Sequence, residues 1–177
     1  MTGPKGKLGI RNTPNLSVRP LGPADRGWVE RVTRAEWGSE TVAVHQQLYR
    51  PSELPGFLAL QGRTKQGLIT YHLEGASCEV VTLNSWSEGR GIGTTLLAAV
   101  RDVCRREGCT RLWLITTNDN THALRFYQKW GFRIAAIHVG AIAADRRLKA
   151  ELPTHGQDGI PIRDEIELEV DLSNVRI

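Results

Sequence analysis

The apolar positions Leu96, Leu97, Val100, Val103 and Cys104 fall at i, i+1, i+4, i+7 and i+8, one face of a helix over residues 93–106. The spacing changes at 111–117, "RLWLITT", where both parities are apolar, as in a strand buried on both sides. Near the end, Ile166, Leu168 and Val170 alternate strictly with Glu165, Glu167 and Glu169, which predicts a strand with one polar face. That acidic stripe, with Asp171, reads as a solvent face; the alternative is that part of it attracts a cationic amine.

The same reading places a short strand at 16–21, stopped by Pro20 and Pro23, and a helix at 24–37. Asp25 can cap that helix, Trp28, Val32 and Ala35 share a face, and Gly38 ends it. Residues 39–55 are ambiguous; the pattern reads as a second helix through 42–48, closed by Pro51 and Pro55. Runs at 57–60 and 68–73 flank "QGRTKQG" and predict a hairpin, and a third run follows at 79–84. After the strand at 111–117 come a polar "NDN", a helix at 121–130 ended by Gly131, and a strand at 132–139. Residues 141–161, with "DRRLK", Pro153, Gly156, Gly159 and Pro161, read as a long excursion that can fold over a pocket as a lid. This order predicts an α+β fold with one mixed sheet flanked by helices, a single domain over 16–177.

Charge changes this picture little. The excess of four positive charges sits in Lys5, Lys7, Arg11 and Arg19, all before the first acidic residue; without them nineteen basic residues face nineteen acidic ones. A neutral body argues against a nucleic-acid binder, which carries its basic residues as a patch on the folded domain. Residues 1–15, with Gly3, Pro4, Gly6, Gly9 and Pro14, are expected to be a flexible basic tail lacking the apolar core of a signal peptide. No apolar run is long enough to span a membrane, so no membrane partner and a cytoplasmic location are expected. Cys78, Cys104 and Cys109 are odd in number and form no CxxC pair, which predicts reduced, buried thiols and no metal site.

The stretch "EGRGIGTTLL" at 88–97 places glycines between a strand and a helix. The first amides of a helix lack internal partners and carry partial positive charge, so such a turn binds anions, and bare glycines let a phosphate approach them. The stretch is not GxxxxGK[ST], and a GxGxxG match fails at its sixth position, Thr94. Gly89, Gly91, Ile92 and Gly93 supply backbone, Arg90 a charge, and Thr94 and Thr95 hydroxyls.

A second constellation, "NTHALRFYQKWGF", opens the helix at 121–130. Together the two stretches resemble the GNAT superfamily of acetyl-CoA-dependent N-acetyltransferases, which carries (R/Q)xxGxG after a central strand and NxxAxxxYxxxGF after the next. Here the first reads Glu88, Gly89, Arg90, Gly91, Ile92, Gly93, and the second Asn120, Ala123, Tyr127, Gly131, Phe132, with every spacing kept. The departure is Glu88 at the usual Arg or Gln position, for which Arg90 is expected to compensate.

The resemblance implies a mostly antiparallel sheet with splayed central strands and acetyl-CoA as co-substrate. It puts the pyrophosphate on residues 89–94, the pantetheine arm along the backbone of Val81, Leu83 and Asn84, and Asn120 opposite. The implied reaction is direct attack of a primary amine, from a small molecule or peptide, on the thioester. That needs a base, oxyanion donors and an acid for the thiolate. Tyr127 is the expected acid by its motif position. Glu79 is the expected base, because it shares strand parity with Val81 and Leu83; Glu74 and His72 are alternatives, and His122 is expected to decorate an exposed helix start. The acceptor is left open, as is a homodimer. A coenzyme A-binding sensor or interaction module with reduced catalysis is the alternative kept alive by Glu88.

Overall fold

The computed structural model describes residues 16–87 and 89–173. In chain order the elements are β1 (Leu16–Pro20), α1 (Arg26–Trp37), β2 (Val42–Val44), β3 (Gln47–Tyr49), β4 (Gly56–Gln61), β5 (Thr64–Glu74) and β6 (Ser77–Ser85). There follow α2 (Ile92–Arg106), β7 (Arg111–Thr117), α3 (Thr121–Trp130), β8 (Arg133–His138), α4 (Ile142–Leu148) and β9 (Glu165–Asp171). Seven strands form one sheet in the order β1-β4-β5-β6-β7-β9-β8, and β2 and β3 form a separate hairpin. Among the described residues only β6 and β7 run parallel; every other pairing is antiparallel. The expected α+β class and mixed, mostly antiparallel sheet are what the chain forms.

Two apolar layers hold the sheet. On one face α2 buries Leu96, Leu97, Val100 and Cys104 completely against Ile69, Cys78, Leu112 and Leu168. Burial of each such leucine is worth about 1.5–3 kcal/mol. On the other face Val29 of α1 packs on Leu58 and Leu68. Gly67 sits where α2 meets β5: a Cβ there would lie 2.6 Å from Ile92 Cγ2 and 2.8 Å from the Asn84 carbonyl oxygen. The first turn of α2 is thereby seated on the strands below it. Cys78, Cys104 and Cys109 are free and buried, as expected.

Three expectations need correction, and the excursion at 141–161 gains detail. Residues 42–48 are not a helix but the β2–β3 hairpin, whose turn residues His45 and Gln46 adopt positive φ of 47° and 62°. Val42 and Val44 favour the strand, while the turn lacks the glycine or asparagine that usually marks such a hairpin. Asp25 does not cap α1; its carboxylate accepts two hydrogen bonds from Arg19 at 2.7 and 2.9 Å and one from the Gly22 amide. The excursion at 141–161 contains α4, seven residues long. The acidic stripe on β9 is not a solvent face: Glu165 is buried, Glu167 and Glu169 bind Arg111, and Glu169 also binds Arg133. The tail expectation concerns residues 1–15, and Glu88 likewise lies outside the described residues. Among those described, no helix is long and apolar enough to cross a membrane.

Gly67→Ala is expected to lower unfolding stability by about 1–3 kcal/mol in urea titration, because the added methyl overpacks the α2 junction. An unchanged midpoint would show that this close approach carries no weight. The Arg19 pairing holds the Asp25 carboxyl well below the usual carboxylate range. Its stabilisation is therefore complete above the unfolded pKa of about 3.9 and is lost as pH falls toward the folded value. Asp25→Asn should cost about 1–3 kcal/mol at pH 7, with wild type and variant converging in acid. Equal stability at neutral pH would contradict this.

Candidate active site

The site begins with an irregularity in β6. Thr70 pairs with Thr82, but the next residue of β5, Tyr71, pairs with Val80, so Val81 is an extra residue bulged out of the ladder. Such a bulge sharpens the local twist and shifts the alternation of faces. Cys78 and Val80 belong to the α2 core, Thr82 turns to the opposite face to meet the Thr70 hydroxyl at 2.7 Å, and Leu83 packs back against the α2 core. Glu79 therefore shares a face with Thr82 and not with Leu83, which corrects the parity argument for it.

The ladder between β6 and β7 ends at the same place. It runs from Ser77 opposite Arg111 to Val80 opposite Leu114, and residues 81–85 have no partner on β7. The two strands splay as expected. Two cavities flank the opening, each close to the size of a small-ligand pocket.

The first, about 460 Å³, lies on the face carrying α2 and α3. Leu83, Ser85 and Ser87 form one wall, and Gly89, Gly91, Ile92, Gly93 and Thr94 form its end. Gly91 precedes α2 in a left-handed conformation, φ 73°, and Gly89 is also left-handed. A Cβ on either would meet nothing within 4 Å, so a ligand can approach the bare backbone. The Thr95 amide donates to the Gly91 carbonyl at 2.9 Å; the amides of Ile92, Gly93 and Thr94 precede that first helical bond and sit at the positive end of the helix dipole.

The second cavity, about 470 Å³, lies on the opposite face under α1, the β2–β3 hairpin and α4. Val42, Val44, Ile115, Ile142 and Leu152 supply apolar wall, and Thr82, Thr117 and Glu165 supply polar positions. Leu83, Asn120 and Tyr127 line both cavities. These three residues stand where the two spaces meet.

Tyr127 is buried, with its ring edge-on to Phe126 and Phe132 at 5.2 and 5.5 Å between centroids. Burial pushes its phenol well above the usual range, so it keeps its proton at neutral pH. Asn120 caps α3, its Oδ1 accepting the Ala123 amide at 3.1 Å, which leaves its NH₂ available to a ligand.

The "NDN" segment holds the wall of the second cavity. Asn118 donates to the Pro161 carbonyl and its Oδ1 accepts the Arg163 and Asp164 amides at 2.9 and 3.0 Å. Asp119 accepts the Gln157 amide at 3.1 Å, and a Cβ on Gly156 would overlap the Asp119 carboxylate at 1.8 Å. The excursion is thus clamped beside the end of β7.

The remaining expected residues divide. Val81 lines the second cavity and not the first. Asn84 lines neither, and its buried Oδ1 has no hydrogen-bond partner among the described residues. Arg90 lies outside the cavity lining, its guanidinium donating to Gln61 at 3.0 Å. Glu79 lines neither cavity; its carboxylate accepts the Tyr49 hydroxyl at 2.7 Å, and burial raises its pKa. His122 is exposed but lines the first cavity with Phe126.

Glu165 is the residue the sequence names only as part of the acidic stripe and does not single out. It lies opposite Thr117, is 2% exposed, and accepts the His45 amide at 2.9 Å with His45 Nδ1 at 3.2 Å. Burial raises its pKa, as does Asp145 beside it, while the His45 contacts pull it down. No local signal separates it from Glu167 and Glu169.

Residues 26–132 match the family model described as Acetyltransferase (GNAT) family. The chain is 44% identical over 131 residues to the uncharacterized protein YdhI of Bacillus subtilis (strain 168), covering 73% of this chain and 82% of that one. It therefore belongs to the GNAT acetyltransferase family. Among solved structures, IAA acetyltransferase from Bacillus cereus ATCC 14579 superimposes with a TM-score of 0.65 at 20% identity, over 89% of this chain and 99% of that one. A GNAT family acetyltransferase from Elizabethkingia anophelis, solved with acetyl-CoA bound, gives 0.64 at 19% identity, over 90% and 100%. At these identities the two structures show the shared fold alone.

Asn118→Ala is expected to remove about 1–3 kcal/mol of stability and to speed hydrogen exchange at residues 163 and 164. Unchanged exchange there would show that the clamp is held by other contacts.

Proposed function

We propose that the protein moves the acetyl group of acetyl-CoA to a primary amine of a small molecule or peptide by direct attack, with Tyr127 as the general acid. Family membership supports acyl transfer. The observation that carries the reading is the meeting of two cavities, from opposite faces of the sheet, at Leu83, Asn120 and Tyr127. A donor held on one face and an acceptor on the other can react there without passing the acyl group through the enzyme.

The first cavity fits the coenzyme. Its glycines leave room at the mouth of α2, where the amides of Ile92, Gly93 and Thr94 suit a pyrophosphate. The backbone of residues 81–84, unpaired toward β7, offers Leu83 and its neighbours a strand-like pairing with the pantetheine amides. When bound, acetyl-CoA supplies an activated thioester carbonyl and a thiolate leaving group.

Tyr127 holds a proton beside the shared opening. Its raised pKa does not spoil it as an acid, because the desolvation that penalises a phenolate penalises a thiolate in the same place. The Asn120 NH₂ supplies a further donor at the junction. Phe126 and Phe132 fix the phenol ring, so its hydroxyl position is set by packing.

Calorimetry should give acetyl-CoA binding in the micromolar range, about −8 kcal/mol. Tyr127→Phe should lower kcat by roughly 10²–10⁴-fold while leaving that affinity within a few-fold. Normal turnover at saturating acetyl-CoA would remove Tyr127 from the chemistry, and no heat with acetyl-CoA would end the reading itself.

A further inference from the structure

The second cavity has a composition that restricts what can enter it. Its walls are apolar at Val42, Val44, Ile115, Ile142 and Leu152, and its charged lining residues are Glu36, Glu151 and Glu165. Among the described residues, no lysine, arginine or histidine lines it. Lys149 lies behind the wall with its ammonium donating to the Trp37 and Thr41 carbonyls at 2.6 and 2.7 Å. Arg146 likewise lies behind the wall, its guanidinium donating to the Pro153 and Ile162 carbonyls at 2.8 and 3.0 Å. A carboxylate entering this space would find no cation in the lining and three acidic neighbours, and burying it so would be costly.

Glu165 is built into this cavity by contacts distant in sequence. The β2–β3 turn donates the His45 amide to Glu165 and the Gln46 amide, at 2.7 Å, to Asp145. Both donors come from residues held at positive φ, a conformation that non-glycine residues adopt only when the surroundings enforce it. Asp145 is fully buried, and its second oxygen has no hydrogen-bond partner among the described residues.

We propose that this cavity takes a monoamine with an apolar body and no carboxylate, its ammonium received by Glu165. The inference rests on the acetyltransferase reading and adds the acceptor class to it. One N–H bond of the ammonium breaks, its proton passes to the Glu165 carboxylate, and the freed lone pair attacks the thioester carbonyl. As the C–N bond forms and the C–S bond breaks, Tyr127 gives its proton to the departing thiolate and regains one from the second N–H of the nitrogen. The proton taken by Glu165 leaves through His45, whose Nδ1 lies 3.2 Å from Glu165 and whose side chain is 44% exposed. The His45 ring also lies 4.5 Å from that of His138, which contacts Glu167. An α-amino acid is rejected because its carboxylate accompanies the nitrogen into the same space.

The test compares matched pairs with the full chain and acetyl-CoA: phenethylamine against phenylalanine, and tryptamine against tryptophan, with spermidine and a phenylalanyl peptide alongside. The expected result is at least a 100-fold preference in kcat/KM for each amine over its amino acid, with the polyamine and peptide also weaker. Glu165→Gln should raise KM for the amines and lower kcat/KM by at least 100-fold, leaving acetyl-CoA affinity unchanged. Equal or better turnover of amino acid, polyamine or peptide would overturn the acceptor class while leaving acetyl transfer intact. Bound acetyl-CoA with none of the panel acetylated would overturn it too, whereas failure to bind acetyl-CoA would bring down the underlying reading first. If the variant does not fold, the wild-type ratios decide alone.

Discussion

The site exists because two neighbouring strands stop pairing. Parallel hydrogen bonding between β6 and β7 ends at Val80 and Leu114, one residue before Val81 bulges out of the ladder with β5. The bulge sends Thr82 to one face and Leu83 to the other, so a single strand lines both cavities. Had the ladder continued, the sheet would be closed between α3 and the β2–β3 hairpin, and Tyr127 would face only packed side chains. The backbone groups left unpaired by the splay carry an energetic cost unless something pairs with them. That cost is what makes the edge a binding surface.

The two faces are built by different physics. The α2 side depends on local features: glycines at Gly89 and Gly91, the first amides of α2, and the close approach at Gly67 that seats the helix. The side facing the β2–β3 hairpin depends on long-range hydrogen bonds. Asn118 and Asp119 hold the excursion from across about forty residues, and His45 reaches Glu165 across a sequence separation of 120. Buried carboxylates there accept backbone amides, Glu165 from His45 and Asp145 from Gln46. Such an arrangement stores basicity without filling the cavity with arginine or lysine.

Reading periodicity worked where one element faces one layer. The α2 pattern, the apolar run of β7 and the alternation in β9 all placed their elements correctly, because each contributes side chains to the one core between α2 and the sheet. In β7 that is the parity of Leu112 and Leu114, the other being only partly buried. It failed where the partner was not a layer. Residues 42–48 form a hairpin whose tight turn is stabilised by donating amides to Glu165 and Asp145, contacts no local pattern encodes. Asp25, a good cap by type, is claimed instead by Arg19. The parity that linked Glu79 to Leu83 was broken by the Val81 bulge, which registers in no side chain.

Composition and spacing alone determined the fold class, the α2 glycine turn, and the Asn120–Tyr127 helix, since each depends on residues close along the chain. Tertiary structure alone decided that Glu165, and neither Glu167 nor Glu169, faces a cavity. The three share one face of one strand and differ only in what lies across from them: a hairpin tip for the first, Arg111 for the others. Burial and charge pairing are properties of neighbours in space, and a strand's own sequence cannot name those neighbours.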